Sequence, residues 1–256
     1  MPSPPDRTHA PTPWLLREPS PDARARLFCI PYSGCGASMY RQWPRFVADD
    51  VETCPVQLPG RENRIRERPH ATYQELADDL AEGLLPYLDR PYGLFGHCGA
   101  ALAAYETAVR LVERDHPRPA RLFLSSQVAP QHGPRGRFLR LSDDELRAEL
   151  GELMVRLGAE PVPSLIDFTL SILREDIEAN KRYHVPDPPR LPVPLTAVGW
   201  HGDVEVPHST MGGWDLCGDT DFVVLEGEHY TFTEAPGTLL DVFSAGLLPA
   251  PAGQPR

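Results

Sequence analysis

Short apolar runs alternate with stretches of helical periodicity along most of the chain. Apolar runs of four to seven residues predict buried strands, and they lie at 26–31, 52–58, 92–95, 120–126, 195–198 and 221–225. Between them, residues 72–88 place leucines four positions apart behind Thr72, an N-cap type of residue with Glu75 three positions on. Residues 100–113 predict a further helix. This alternation predicts an α/β fold with a mostly parallel sheet that helices cover on both faces.

Residues 130–190 interrupt this alternation. They contain two helical stretches, 143–157 and 165–183, separated by a segment rich in glycine and proline. The whole segment is much longer than a simple crossover between parallel strands. We therefore expect an inserted helical lid over the active site, at about 130–190. The alternative is a decorated crossover that lies away from the site.

The two ends of the chain differ from its body. Residues 1–13 and 249–256 are rich in proline and small polar residues, so they bury too little apolar surface to offset the entropy of ordering. Both ends are therefore predicted to be disordered. No linker or internal repeat divides the remainder, and residues 14–248 are predicted to form a single domain.

Composition excludes several classes of protein. The net charge of −11 disfavours nucleic acid as a partner. No apolar run reaches the roughly 20 residues needed to cross a membrane, and no signal peptide is apparent, so we expect a soluble, cytoplasmic protein. The five cysteines are odd in number and form no CxxC pair, which argues against disulfides or a zinc site.

Four arginines between positions 61 and 68 are interspersed with glutamates and predict a solvated, salt-bridged face.

The strongest chemical signal is the segment LFGHCGAA at 94–101. A predicted strand runs into Gly96 and Cys98, and a predicted helix follows at once, which is the context of a nucleophile elbow. Small residues at 96 and 100 let strand and helix pack closely around a turn that lifts residue 98 clear of the sheet. Cys98 is therefore the candidate nucleophile, and the helix N-terminus favours its thiolate. The alternative is a buried structural thiol.

A glycine-rich turn, PYSGCGA at 31–37, follows the first predicted strand. Such a turn can aim backbone N–H groups at a developing oxyanion, and the second donor in an elbow is the residue after the nucleophile. The predicted oxyanion-hole donors are the backbone N–H groups of Ser33 and Gly99. An ordinary turn between strand and helix is the alternative.

Two later turns supply a candidate acid and a candidate base. The chain order in such enzymes is nucleophile, acid, histidine, and Asp203 follows a predicted strand in the acid position, with Glu205 as the alternative. Of nine histidines, His229 alone lies on a turn after both the last predicted strand and the acid, so it is the candidate base. His97 is expected to be structural, and His201 is expected to lie on a surface turn.

Together these segments resemble the type II thioesterases that accompany modular polyketide and nonribosomal peptide synthases. The resemblance extends over about residues 24–247. It is carried by residues 27–38, by QLPGRE at 57–62, by the elbow at 95–101 and by GEHY at 227–230. LSDDEL at 141–146 and LRED at 173–176 fall in the helical lid of the family.

The resemblance implies an α/β-hydrolase fold, an enzymatic activity and a partner. Such enzymes act on acyl or aminoacyl groups held as thioesters on the phosphopantetheine arm of an acyl or peptidyl carrier protein. Their usual role is to hydrolyse misprimed or stalled chains. The resemblance also implies a monomer, and we expect no metal ion or organic cofactor.

The sequence departs from this family at its nucleophile. The family elbow usually reads Gly-His-Ser-Met-Gly, whereas residues 96–100 read GHCGA, and Cys35 and Glu228 also stand where glycine is usual. A cysteine exchanges one thioester for another, a nearly isoenergetic step that keeps the acyl group activated toward a thiol or an amine. Among thioesterase-like relatives, an elbow cysteine occurs in aminoacyl shuttles between carriers and in enzymes that close amide or strained rings.

Three hypotheses follow. The first is a cysteine acyltransferase in which Cys98, His229 and Asp203 form a triad that passes acyl groups from a carrier to a thiol or an amine. The second is an editing thioesterase that hydrolyses carrier-bound chains with the same residues. The third is an inactive carrier-binding scaffold. The presence of both His229 and Asp203 argues against the third hypothesis, because a protein without catalytic activity does not require a base and an acid that orients it.

Overall fold

Seven strands form one sheet in the computed structural model, which describes residues 13–48 and 50–248. They are β1 (Ala25–Cys29), β2 (Phe46–Val47), β3 (Val51–Pro55), β4 (Tyr92–His97), β5 (Arg121–Ser125), β6 (Pro194–Trp200) and β7 (Asp219–Leu225). Their order is β2-β3-β1-β4-β5-β6-β7, and every neighbouring pair is parallel except β2 with β3. The turn that ends β4 therefore lies at the centre of the sheet.

Five α-helices accompany this sheet among the described residues. They are α1 (Tyr73–Leu84), α2 (Gly99–Glu113), α3 (Asp143–Arg156), α4 (Pro163–Arg182) and α5 (Gly237–Leu247). Successive strand residues point to opposite faces, so Leu94 packs in the apolar layer that includes α1 and α2, while Phe95 packs in the layer that includes Phe243 of α5. Burial on both faces confirms the predicted α/β fold class with a mostly parallel sheet.

Local chemistry sets several helix boundaries. Thr72 caps α1 as expected, because its hydroxyl accepts the N–H of Glu75 at 3.1 Å. At its other end α1 gives way to a short 3-10 turn around Pro86, which has no N–H to donate. Ser142 and Glu145 form a capping box at the start of α3.

The predicted strands and helices lie within four residues of their observed bounds. Apart from short 3-10 turns, the described residues add β2 and α5. β2 has only two residues, too few to show a period in the sequence. α5 buries Leu239, Phe243 and Leu247, which are spaced four apart. Its sequence, GTLLDVFSAGL, is mostly apolar, which weakens the contrast between its two faces.

The helices α3 and α4 lie between β5 and β6 in the chain and rest on the turn that follows β1. A Cβ added to Gly34 in this turn would lie 3.2 Å from the Cβ of Leu173 in α4 and 3.6 Å from Leu150 of α3. The inserted helices therefore cover the predicted oxyanion loop and do not lie away from it.

The predicted disordered ends fall outside the described residues, apart from Pro13. Within the described part of the chain, no helix combines the length and the apolar character that a membrane crossing requires.

Gly96 permits the close approach of β4 to α2. A Cβ at this position would lie 2.1 Å from the carbonyl oxygen of Ala100 and 2.6 Å from the backbone nitrogen of Ala101. Both are backbone atoms, which cannot turn aside as a side chain can. Close packing therefore requires glycine at this position.

We expect Gly96→Ala to lower the free energy of unfolding by about 1–3 kcal/mol or more, because a rigid, well-packed site does not accept an added carbon. Gly212→Ala is the matched control, since its added Cβ would have no heavy atom within 4 Å. Chemical denaturation of the wild type and both variants measures the difference. Equal stability of the two variants would contradict the role assigned to Gly96.

Candidate active site

Cys98 lies at the sharp turn between β4 and α2. Its backbone has φ 53° and ψ −129°, a conformation that is rare for residues with a side chain. Cys98 N–H donates to the carbonyl of Ser125 at 2.9 Å, and Ala101 N–H donates to the carbonyl of Cys98 at 2.9 Å. The residue is 8% exposed. The turn therefore has the strained strand-to-helix geometry of a nucleophile elbow.

Asp203 and His229 lie on the turns that follow β6 and β7. His229 Nδ1 and Asp203 Oδ2 are 2.9 Å apart. Asp203 Oδ1 accepts the N–H groups of Glu205 and Val206, each at 2.9 Å. Burial opposes charge on Asp203, but the hydrogen bonds from His229 and from the Val206 N–H outweigh it and hold the pKa of the carboxyl below its usual value. The carboxylate is therefore ionised, and it fixes the orientation of the imidazole.

The second ring nitrogen of His229, Nε2, is buried and has no hydrogen-bond partner among the described residues. The Cys98 thiol lies close enough to the ring to act on its pKa. Burial lowers the pKa of His229, but the side chains of Asp203 and Cys98 raise it more strongly, and the result is about 10. The structure thus brings Cys98, His229 and Asp203 into one group, an arrangement suited to nucleophilic acyl transfer.

The predicted oxyanion donors, Ser33 and Gly99, lie next to each other. A Cβ added to Gly99 would lie 3.0 Å from Ser33 Oγ. Ser33 and Cys98 line the same small space beneath the lid, together with Ile177 and Asn180 of α4. In residues 13–48 and 50–248, neither predicted N–H donates to a protein acceptor. Both remain available to a carbonyl oxygen bound beside the thiol.

An ion pair attaches the oxyanion loop to the lid. Asp176 of α4 accepts the N–H of Gly34 at 2.8 Å and pairs with both ends of the Arg61 guanidinium, at 2.9 and 3.1 Å. Arg61 also donates to the carbonyl of Cys35 at 2.8 Å. Hydrogen bonds that involve a charged partner are stronger than neutral ones. The loop position of Ser33, which precedes Gly34, therefore depends on this ion pair.

The predicted solvated arginine face is wrong for two of its four members. Arg61 and Arg64 are 5% and 8% exposed. Arg64 pairs with Glu67 at 2.6 Å, donates to the carbonyl of Gln57 at 2.9 Å and stacks over Trp14. An arginine can be buried when its N–H groups find acceptors. Those acceptors lie partly in distant segments, so the charge spacing alone could not reveal them.

Asp176 is not among the site residues predicted from the sequence. It lies on α4 between Leu173 and Ile177, both of which are buried. A carboxylate on the apolar side of an amphipathic helix is the signal that could have indicated a buried partner.

An apolar cavity of about 340 Å³ lies between the oxyanion loop and the lid. The loop contributes Gly34 and Cys35, and the lid contributes several leucines with Met154, Phe168 and Ile172. Burial raises the pKa of the Cys35 thiol to about 12, so this second thiol near the site is neutral at physiological pH. Gly34, which lines this cavity, directly follows Ser33, which lines the smaller space that contains Cys98.

The other candidates from the sequence have different surroundings. Glu205, the alternative acid, does not contact Nδ1 of His229; its carboxylate lies 3.7 Å from Nε2 and 3.7 Å from Arg137. His97 is buried, and its Nδ1 lies 2.9 Å from the hydroxyl of a buried serine. His201 is exposed on its turn. Asp203 is therefore the carboxylate that orients His229.

Curated relatives and a family model match most of this chain. Residues 25–246 match the model of the thioesterase domain family. The gramicidin S biosynthesis protein GrsT of Aneurinibacillus migulanus is 30% identical over 86% of this chain and 87% of its own. The thioesterase PikA5 of Streptomyces venezuelae is 30% identical over 78% of this chain and 73% of its own.

Solved structures show the same architecture. RedJ, a thioesterase from the prodiginine pathway of Streptomyces coelicolor, is 34% identical with a TM-score of 0.76 and covers 88% of this chain and 87% of its own. The type II thioesterase BorB from the borrelidin cluster is 28% identical with a TM-score of 0.79 and covers 94% of this chain and all of its own. The chain therefore has the α/β-hydrolase fold and belongs to the thioesterase family, with similarity over most of its length to type II thioesterases.

Proposed function

We propose that the protein is a thioesterase-like acyltransferase that carries its acyl group on Cys98. Its substrates are acyl, aminoacyl or peptidyl thioesters of carrier proteins in polyketide or nonribosomal peptide biosynthesis, and its acceptor is a thiol or an amine. The observation that supports this most strongly is a thiol at the strained elbow, beside an imidazole whose other nitrogen lies 2.9 Å from the buried Asp203 carboxylate.

In the first step, the acyl group moves from the carrier to the enzyme. His229 takes the proton of Cys98, and its raised pKa favours the resulting pair of imidazolium and thiolate. The sulfur attacks the thioester carbonyl carbon, and the N–H groups of Ser33 and Gly99 stabilise the oxyanion. The bond between that carbon and the carrier sulfur then breaks, and the carrier thiolate leaves with the proton from His229.

In the second step, the cysteine determines which acceptor is favoured. The bond formed and the bond broken in the first step are both thioesters, so little free energy is lost. The acyl group on Cys98 therefore stays activated. An incoming thiol or amine gives its proton to His229, attacks the acyl carbon and releases the Cys98 thiolate.

A carrier protein is the partner that fits this reaction. Relatives similar to this chain are named for gramicidin S biosynthesis and as a type II thioesterase of the borrelidin cluster. In this chain, the apolar cavity of about 340 Å³ beside the oxyanion loop has room for part of an acyl chain. We propose that the substrate arrives on the phosphopantetheine arm of the carrier. The steps above use only protein groups, thiols and amines, so the scheme includes no metal ion or organic cofactor.

An editing thioesterase is the second candidate, because the chain is similar to type II thioesterases such as BorB. In that case, His229 activates water in the second step, and a free acid is released from Cys98. The two functions share one acyl-enzyme and differ only in the acceptor.

Replacement of the nucleophile tests the proposal. We expect Cys98→Ala to reduce turnover of an acyl-loaded carrier at least about 10³-fold, as removal of a triad nucleophile usually does. We expect Cys98→Ser to form an oxyester and to lower the ratio of transfer to hydrolysis about tenfold, because its acyl group is less activated toward thiols. Mass spectrometry of the products, with and without an unloaded second carrier, measures both effects.

The matched control is Cys217→Ala, which removes a buried thiol that contacts Gln131 and lies outside the space around Cys98. It should retain wild-type turnover. If the wild type releases only free acid even when thiols and amines are present, the editing function replaces the transferase. Full activity of Cys98→Ala would rule out both functions.

The pKa of His229 predicts how stability depends on pH. Its value of about 10 lies above the roughly 6.5 of an unfolded histidine, so its charge stabilises the fold fully below about pH 6.5 and loses this effect as the pH rises toward 10. The wild type should therefore exceed His229→Gln in free energy of unfolding by a few kcal/mol more at about pH 6 than at about pH 10.5. Urea denaturation at both pH values measures the difference.

His201→Gln is the matched control for this pH dependence, because His201 is exposed on a turn. Its difference from the wild type should be the same at both pH values. A His229→Gln difference that does not shrink as the pH rises would contradict the charged pair.

A further inference from the structure

A second carboxylate borders the space beside the thiol. Glu205 lies two residues after Asp203, and its side chain is 8% exposed. It lines the small space beneath the lid together with Tyr32, Ser33 and Cys98. Its nearest cationic groups are 3.7 Å away, and in the part of the chain that the structure describes no hydrogen bond reaches its carboxylate oxygens. Both ion pairs are long, so the carboxylate keeps hydrogen-bonding capacity toward the space that it borders.

Neither nearby cation forms a short hydrogen bond to the Glu205 carboxylate. Arg137 Nη1 lies 3.7 Å from Oε1, but both terminal nitrogens of this guanidinium donate to Glu149, one of them at 3.0 Å. His229 Nε2 lies 3.7 Å from Oε2, and in the proposed reaction it serves Cys98. One guanidinium therefore faces two carboxylates. The space beside the nucleophile is left with unbalanced negative charge.

The other charged groups at this space are already paired. Asp176, which also borders it, is bonded to Arg61 at 2.9 Å. Asp203 is bonded to His229 and to two backbone N–H groups. Glu205 is thus the carboxylate in this group that is left to bind a cationic part of a ligand.

Glu205 lies close to the position that the acyl group occupies during the reaction. During attack by the acceptor, the acyl carbon lies close to both Cys98 Sγ and His229 Nε2, and Glu205 is 3.7 Å from that nitrogen. An amine on the carbon next to the carbonyl lies about 2.5 Å from the carbonyl carbon, by standard bond lengths and angles. Such an amine is within reach of the Glu205 carboxylate.

We propose that Glu205 binds the ammonium group of the acyl substrate, so that the enzyme prefers aminoacyl thioesters to acyl thioesters without an amine. This inference rests on the proposed function, because it requires the acyl group to be on Cys98. An ammonium group offers three hydrogen-bond donors, and its charge complements a carboxylate whose ion pairs to Arg137 and His229 are 3.7 Å long. A free amine beside the carbonyl is thus the feature of the substrate that the site selects.

Two thioesters that differ only in the amine test the proposal: alanyl-pantetheine and propionyl-pantetheine. Acylation of Cys98 is measured in a single turnover, with no acceptor present. We expect the wild type to react at least about tenfold faster with the alanyl thioester, as expected for a buried charge-assisted contact. We expect Glu205→Gln to lose most of this preference, because the alanyl reaction slows more than the propionyl reaction.

Glu149→Gln is a second test of the same charges. It removes the other carboxylate that Arg137 contacts, so the guanidinium is free to pair with Glu205 and to compete with the ammonium group. This variant should therefore lose part of the preference for the alanyl thioester. Thermal unfolding shows whether each variant is folded, and the wild-type preference itself requires no variant. Equal slowing of both substrates in Glu205→Gln, an undiminished preference in Glu149→Gln, or no preference in the wild type would each overturn the proposal.

The same measurements separate failure of this inference from failure of the proposed function. If Cys98→Ala reacts with both thioesters as fast as the wild type, the proposed function fails. If the reaction requires Cys98 but ignores the amine, only the role of Glu205 fails. A preference that appears only when an amine acceptor is added would assign the ammonium group to the acceptor and would also overturn the proposal.

Discussion

The strained turn at Cys98 is the constraint on which the rest of the site depends. A φ of 53° at a residue with a side chain persists only where the surrounding structure holds it. Here Gly96 lets the backbone of Ala100 approach closely, and the carbonyl of Ser125 accepts the Cys98 N–H at 2.9 Å. Because β1, β4, β6 and β7 run parallel, the turns that follow them lie at the same edge of the sheet. The fold thus gathers the oxyanion loop, the acid and the histidine around one thiol.

Buried charges connect this thiol to the scaffold in two ways. Asp203 holds His229 with one oxygen and accepts two backbone N–H groups with the other, so the imidazole is fixed by the sheet. Asp176 belongs to the lid, and with Arg61 it holds the loop that carries Ser33. The position of the oxyanion donor therefore depends on where α4 lies. The position of His229 is therefore set by the turns that follow the strands, while the position of the oxyanion loop is set by its contact with the lid.

The sequence predicts well what local patterns determine. Apolar runs, glycines and a cap locate the sheet, the elbow at Cys98 and the turns that carry Asp203 and His229. It predicts poorly what contacts between distant segments determine. Arg61 is buried because Asp176, 115 residues away, pairs with it, and no local charge pattern contains that fact. The ion pairs of Arg137 with both Glu149 and Glu205 are a second case in which distant segments set the surroundings of a charge.

Location of the acyl group on the enzyme tests the proposed chemistry most directly. The wild type is mixed with an acyl-loaded carrier protein, quenched in acid and digested, and tandem mass spectrometry assigns the acyl mass to one residue. We predict that it lies on Cys98, on none of the other four cysteines, and that an added thiol discharges it. An acyl group on a serine, or turnover in which no Cys98 peptide carries acyl mass at any quench time, would contradict a cysteine acyl-enzyme.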